Sequence, residues 1–282
     1  MLLEPRSSLT DWKQTVLAGL KQRLDRMRRR EFLESGVLGL KAYLAASLLS
    51  GAFSRPARAD DKDKDKEKDS AGAGKAVKTG TFFFPRLHFH VKDNTGDQWN
   101  TDPIGDVILR KRLSELTNIN VSQDPVIVRL DNMEDLCRYP FVFATSEGYF
   151  ELPEKEVKNL KEFLSRGGFV FADDCVYNQK EDRFFRDYVK MINKLCPDNP
   201  MRRVPNDHEL YKCYFDFPKG APHLQGIDHG GWGQFEKDTG RIMTYVTPGD
   251  LHCGWCCKFF SPEQNEASIK MGINIIIYYL TH

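Results

Sequence analysis

A single three-layer α/β domain with a mostly parallel central sheet is the fold class that the sequence predicts, and three observations lead to it. From Thr79 onward, β-rich apolar runs alternate with segments of helical period. The run Phe169-Val170-Phe171-Ala172 is wholly apolar, as a strand buried on both faces requires. The alternating region, residues 79–282, has the length of one compact domain, and it holds no internal repeat.

The elements follow in order. Phe82 to Phe89 reads as the first strand. Asp102 to Leu116 places Ile104, Val107, Ile108, Leu113 and Leu116 on one helical face, with Asp102 as candidate N-cap and Pro103 at the first helical position. Val126 to Leu130 is a second strand, Asp131 to Arg138 a polar turn, and Pro140 to Ala144 a third strand. Pro153 opens a helix with Val157, Leu160, Phe163 and Leu164 on one face, stopped at Gly167-Gly168. After the Phe169 strand, Phe184 to Leu195 forms another helix, closed by Pro197. Asn199 to Gly240 is irregular, with a short strand expected near Cys213 to Phe217. Arg241 to Thr247 is the last strand and Glu263 to Leu280 a C-terminal helix.

Composition narrows the function. The chain has 282 residues, 40% hydrophobic and 29% charged, so it is a folded protein rather than a disordered one. The net charge of +1 hides an asymmetry, because residues 1–59 carry 11 basic and 5 acidic side chains, and residues 60–282 carry 30 and 35. An acidic body without a basic stripe argues against nucleic-acid binding, which needs clustered Lys and Arg. The longest apolar runs fall short of a spanning helix.

Arg29-Arg30-x-Phe32-Leu33, a weakly apolar stretch from Val37 to Phe53 and Ala57-Arg58-Ala59 have the layout of a twin-arginine export signal over residues 1–59. A cut after Ala59 would leave residues 60–78, which alternate acidic and basic side chains, as a solvated linker. The expected location is periplasmic or extracellular, with the membrane met only through the signal. All seven cysteines lie in the exported part, and an odd number cannot all pair internally.

Ligands of an open parallel sheet bind beyond the carboxyl ends of its strands. Those ends carry His88 and His90, then Arg129 and Asp131, Thr145-Ser146-Glu147-Gly148, Asp173-Asp174-Cys175, and Pro248-Gly249-Asp250-Leu251-His252-Cys253. Cys175 is the candidate nucleophile with His252 as its base. His88, Glu147, Asp173, Asp174 and Asp250 are the candidate ligand-binding rim. The neighbouring carboxylates would raise the pKa of Cys175, and no glycine follows it to make a nucleophile elbow. Glu147, Asp173, Asp174, Cys175, His88 and His252 have donor types that suit a borderline metal, but their spacing matches no compact metal motif.

Cys253-Gly254-Trp255-Cys256 lacks the second pair of a zinc knuckle and the position of a thioredoxin motif, so a structural disulfide or unpaired loop thiols is the simpler reading. Asp207-His208-Glu209-Leu210-Tyr211 lacks the second His of a zincin helix, and no motif specifies a cofactor. Trp232, Trp255, Tyr149 and Tyr177 are candidates to line a carbohydrate or peptide cleft, or to pack loop bases.

Phe84-Pro85-Arg86-Leu87, Tyr139-Pro140-Phe141, Leu160 to Cys175, Asp207 to Tyr211, Asp250 to Trp255 and Gly272-Ile273-Asn274 resemble the bacterial domain-of-unknown-function family 4159. The resemblance spans residues 79–282 and implies a flavodoxin-like or class I glutamine-amidotransferase-like fold. It lends no reaction. The turn Ala172-Asp173-Asp174-Cys175-Val176 lacks both glycines of the amidotransferase G-x-C-x-G, and Ser146 and Glu147 replace the Gly-His of the family's usual Thr-Gly-His-Gly. The reading adopted is a non-catalytic exported domain that binds a small molecule or protein partner. The alternative is a hydrolase or amidase working through Cys175 and His252 or a metal.

Overall fold

The computed structural model describes residues 80–92, 99–178 and 180–282. The expected export signal and linker lie outside these residues. Seven strands form one sheet in the order β2-β1-β3-β4-β7-β6-β5. The strands are β1 (Pro85–His88), β2 (Val126–Arg129), β3 (Phe141–Ser146), β4 (Phe169–Asp174), β5 (Arg202–Arg203), β6 (Trp232–Phe235) and β7 (Ile242–Thr247). The first four and β7 run parallel, while β6 and β5 add an antiparallel edge. Among the described residues six α-helices accompany them: α1 (Ile104–Leu116), α2 (Met133–Arg138), α3 (Glu154–Ser165), α4 (Arg183–Leu195), α5 (Leu251–Trp255) and α6 (Pro262–Thr281).

The three layers follow from the two-residue period of the strands. Phe141, Phe143, Phe169, Phe171 and Tyr245 share one face and pack with Leu109 and Leu113 of α1, Trp255 of α5 and Ile273 and Ile276 of α6. Val142, Ala144, Val170, Ala172 and Val246 share the other, with Leu136 of α2, Leu160 and Phe163 of α3 and Tyr188 and Ile192 of α4. On these central strands aromatic rings thus line one interlayer and smaller side chains the other. Tyr188 brings a hydroxyl into this core and finds Thr244 Oγ1 at 2.6 Å, which satisfies it.

Four local features differ from expectation. The polar turn at 131–138 is α2, because Asn132 accepts from the N–H groups of Glu134 and Asp135 and caps a helical turn. No strand forms at Cys213 to Phe217. There the Asn274 amide accepts from Phe215 N and donates to Phe215 O, both at 2.8 Å, so the backbone is satisfied by a side chain instead of a neighbouring strand. Asp102 takes a positive φ of 37° and Pro103 becomes the cap of α1. Helix α6 begins at Pro262, where Ser261 and Gln264 form a capping box. Among the described residues no helix is long and apolar enough to cross a membrane.

Candidate functional site

Register brings the ends of three central strands together. Thr145 of β3 sits beside Asp173 of β4, which sits beside Thr247 of β7, and Ser146 sits beside Asp174. Both strands therefore run two residues past their apolar runs. Beyond β7 the chain turns at Gly249, and Asp250 adopts the left-handed region (φ 59°, ψ 40°) before α5 starts. Asp tolerates that conformation better than a branched residue would. The turn returns Cys253 to the end of β4, where its sulfur lies 3.2 Å from that of Cys175.

The expected pairing of Cys175 with His252 is not what the structure builds. The partners of the Cys175 thiol are Cys253 and, at 3.9 Å, Glu147. Among the described residues no hydrogen bond joins it to His252. The imidazole is fully buried, and its Nε2 lies 2.9 Å from Nη2 of Arg86. Arginine has no acceptor, so Nε2 accepts and the ring is neutral. Burial and then Arg86 push the His252 pKa down, in agreement.

Arg86 is held on every side. It makes two bonds to Asp106, at 2.8 and 2.6 Å, and donates at 3.1 Å to the carbonyls of Trp99 and Thr101. Burial works to raise the Asp106 pKa, but Arg86 and His252 together outweigh it and hold the carboxyl below its usual range. His252 is thus the third member of a buried Arg86–Asp106–His252 cluster that ties β1 and α1 to α5.

Around Cys175 the electrostatics are the opposite, because among the described residues no cationic group is hydrogen-bonded there. Contact with Cys253 favours the Cys175 thiolate, yet burial and the carboxylates of Asp250, Glu147 and Asp173 push its pKa up overall. Contact with Cys175, burial and Asp250 push Cys253 up as well. Burial raises Asp250 to about 6 and Asp174 to about 8. It raises Asp173 too, with Asp250 adding to the effect.

One oxygen of each aspartate has a defined duty. Asp173 Oδ2 accepts from His252 N and Asp174 Oδ2 from Phe185 N, each at 2.8 Å, which docks the starts of α5 and α4 on β4. Asp250 Oδ2 accepts from the Gln225 amide. The second oxygen of all three is buried without a hydrogen-bond partner among the described residues.

The segment Ala221 to Gly226 closes over this edge. Leu224 N donates to Gly249 O at 3.0 Å, and a Cβ on Gly226 would meet Val176 at 3.0 Å. Surface hollows of about 460 and 250 Å³ lie elsewhere, between Asn206 and Pro218 and around His208, Arg241 and His282.

Residues 84–280 match the model of the family described as a domain of unknown function, DUF4159. The chain belongs to the DUF4159 family. None of the curated proteins compared with it matches.

At the open border of the DUF4159 site, Arg183 lies 5.5 Å from the ring centre of Tyr149 and 3.9 Å from that of Tyr177. Tyr149 is exposed, and Ile227 nearby in sequence to the covering segment is exposed too. His88 stands apart from the thiols and packs between the rings of Trp99 and His90, 4.5 and 4.8 Å away. His208 is a cap, its Nδ1 accepting from Leu210 N at the single turn Glu209–Tyr211.

Sequence reading missed Arg86, Asp106 and Gln225 as partners of the edge residues His252 and Asp250, and it placed Cys253 at the edge without pairing it with Cys175. An arginine inside an otherwise apolar strand implied a buried partner. Cys253 stood among the strand-end residues, but its C-x-x-C spacing pointed to Cys256, whose sulfur instead faces the carbonyl of His252 at 3.5 Å.

Proposed function

We propose that this DUF4159 protein is an exported binding domain, taking a small molecule or a partner segment at the carboxyl edge of its sheet without nucleophilic catalysis. The observation that carries the reading is the state of Cys175, which faces a second thiol while the imidazole expected as its base, that of His252, is locked by Arg86. A thiol with a raised pKa and, among the described residues, no imidazole hydrogen-bonded to it is a poor nucleophile. The Tyr149–Arg183–Tyr177 stack at the border has the aromatic and arginine character of recognition surfaces.

The parallel order β2-β1-β3-β4-β7 is that of doubly wound, flavodoxin-like sheets, which supports the flavodoxin-like or amidotransferase-like reading of the fold. In such sheets ligands sit where this edge lies. The Arg29-Arg30 signal supports delivery to the periplasm or beyond.

Two measurements on the full chain test the reading. Peptide and oligosaccharide arrays are expected to retain the wild type and to lose it on Tyr149→Ala with Tyr177→Ala. Chromogenic ester and primary-amide panels are expected to show no turnover that Cys175→Ala removes. Turnover abolished by both Cys175→Ala and His252→Ala would establish the hydrolase alternative instead, and equal retention of wild type and double variant would remove the binding surface.

A further inference from the structure

We propose that Cys175, Asp250 and Cys253 are the ligands of one divalent cation of the zinc class, held by two thiolates and a carboxylate at the carboxyl edge of the sheet. The proposal deepens the binding reading by naming an ion as the resident of that edge. Both sulfurs and a carboxylate oxygen of Asp250 lie within 4.8 Å of one another, and all three residues are buried.

A second observation points to the same ligand. The Asp250 side chain is fully buried, its Oδ2 is fixed by Gln225, and its Oδ1 has no hydrogen-bond partner. An amide that orients a carboxylate by one oxygen and leaves the other to an ion is the usual outer support of a metal ligand. Two thiols select against magnesium and calcium, which take oxygen, and favour a borderline or soft ion.

The geometry needs little change. With bonds of about 2.3 Å, two thiolates on a tetrahedral ion stand about 3.7 Å apart, so the sulfurs, now at 3.2 Å, would separate by about half an ångström. Glu147, half-buried with a carboxylate oxygen 3.9 Å from the Cys175 sulfur, lies outside the three-residue cluster, so a water completes the set. On binding, two S–H bonds break, two metal–sulfur bonds form, and two protons leave to solvent.

A disulfide between the same sulfurs is the competing outcome. It would leave the second oxygen of Asp250 as it is, buried and without a partner, whereas a cation satisfies it. The chemistry of the whole donor set therefore favours the ion.

The experiment uses the full chain, reduced and then freed of reductant. Zinc content after dialysis is expected to approach one equivalent per chain. Titration of the metal-free protein with Co²⁺ is expected to give thiolate-to-cobalt charge-transfer absorption that saturates at one equivalent with release of about two protons. Cys175→Ser and Cys253→Ser are each expected to cut that absorption by about half, because one of two thiolates is gone, while Cys257→Ser, at an exposed cysteine, leaves it unchanged.

Absence of the band in folded wild type, or a band that survives both serine substitutions, overturns the proposal. So does a count of five free thiols in place of seven in protein denatured before reduction, if that protein after reduction binds no Co²⁺. If a serine variant does not fold, the wild-type titration decides alone. Array retention without a cobalt band would leave the binding reading and remove the ion, and the reverse result would separate them the other way.

Discussion

Arg86 and His252, 166 positions apart in the chain, meet at 2.9 Å with the guanidinium donating to Nε2 of the ring. The contact commits the imidazole to the interior and leaves Cys175 to its neighbours Cys253 and Glu147. It also concentrates stability in one buried cluster, since Asp106 and Arg86 are 5% and 3% exposed.

Arg86→Met should therefore cost about 3–5 kcal/mol, the range for stranding one charge of a buried pair. Urea unfolding followed by circular dichroism measures it. A loss under 1 kcal/mol would mean that Asp106 finds another cation or takes up a proton cheaply.

The same pair sets a pH dependence with a definite sign. The Asp106 pKa is lowered in the folded chain, so its contribution is fully present above the ordinary value of 3.8 and is lost as pH falls through the lowered one. Stability measured on the acid side should fall less steeply in Asp106→Asn than in wild type. Parallel acid limbs for the two proteins would contradict the assignment.

Gly105 of α1 lies against the ring of His252, next to Asp106. A Cβ there would lie 2.8 Å from Nε2 and 3.1 Å from the carbonyl oxygen of His252, whose ring is fully buried and held by Arg86. Gly105→Ala should destabilise by about 1–3 kcal/mol, as overpacking of a filled core does. A double-mutant cycle with His252→Ala checks the cause, since the two losses should be less than additive.

Export is testable without the fold. A reporter fused after Ala59 should leave the cytoplasm, and replacing Arg29 and Arg30 together by Lys should hold it back. Full cytoplasmic retention of the unaltered fusion would contradict the signal.

The sequence by itself determined the layers. Apolar runs bounded by helical periods mark β1 to β4, β7, α1, α3, α4 and α6, because period and length are local properties that each segment carries alone. It also determined which residues stand at the strand ends, since each end follows directly from its apolar run. The short pieces escaped: β5 is two arginines, β6 has Gly233 and Gln234 between its two aromatic rings and so no apolar run, and α2 depends on one Asn132 cap.

Only the tertiary structure decided which strand-end groups touch. The neighbour of Cys175 depends on the register of β4 with β7 and on the left-handed Asp250 that turns α5 back toward the sheet. Likewise the fate of His252 depends on Arg86 in another strand and Asp106 in a helix between. Such contacts join residues across the whole chain, and they are selected by how layers pack rather than by any pattern within one segment.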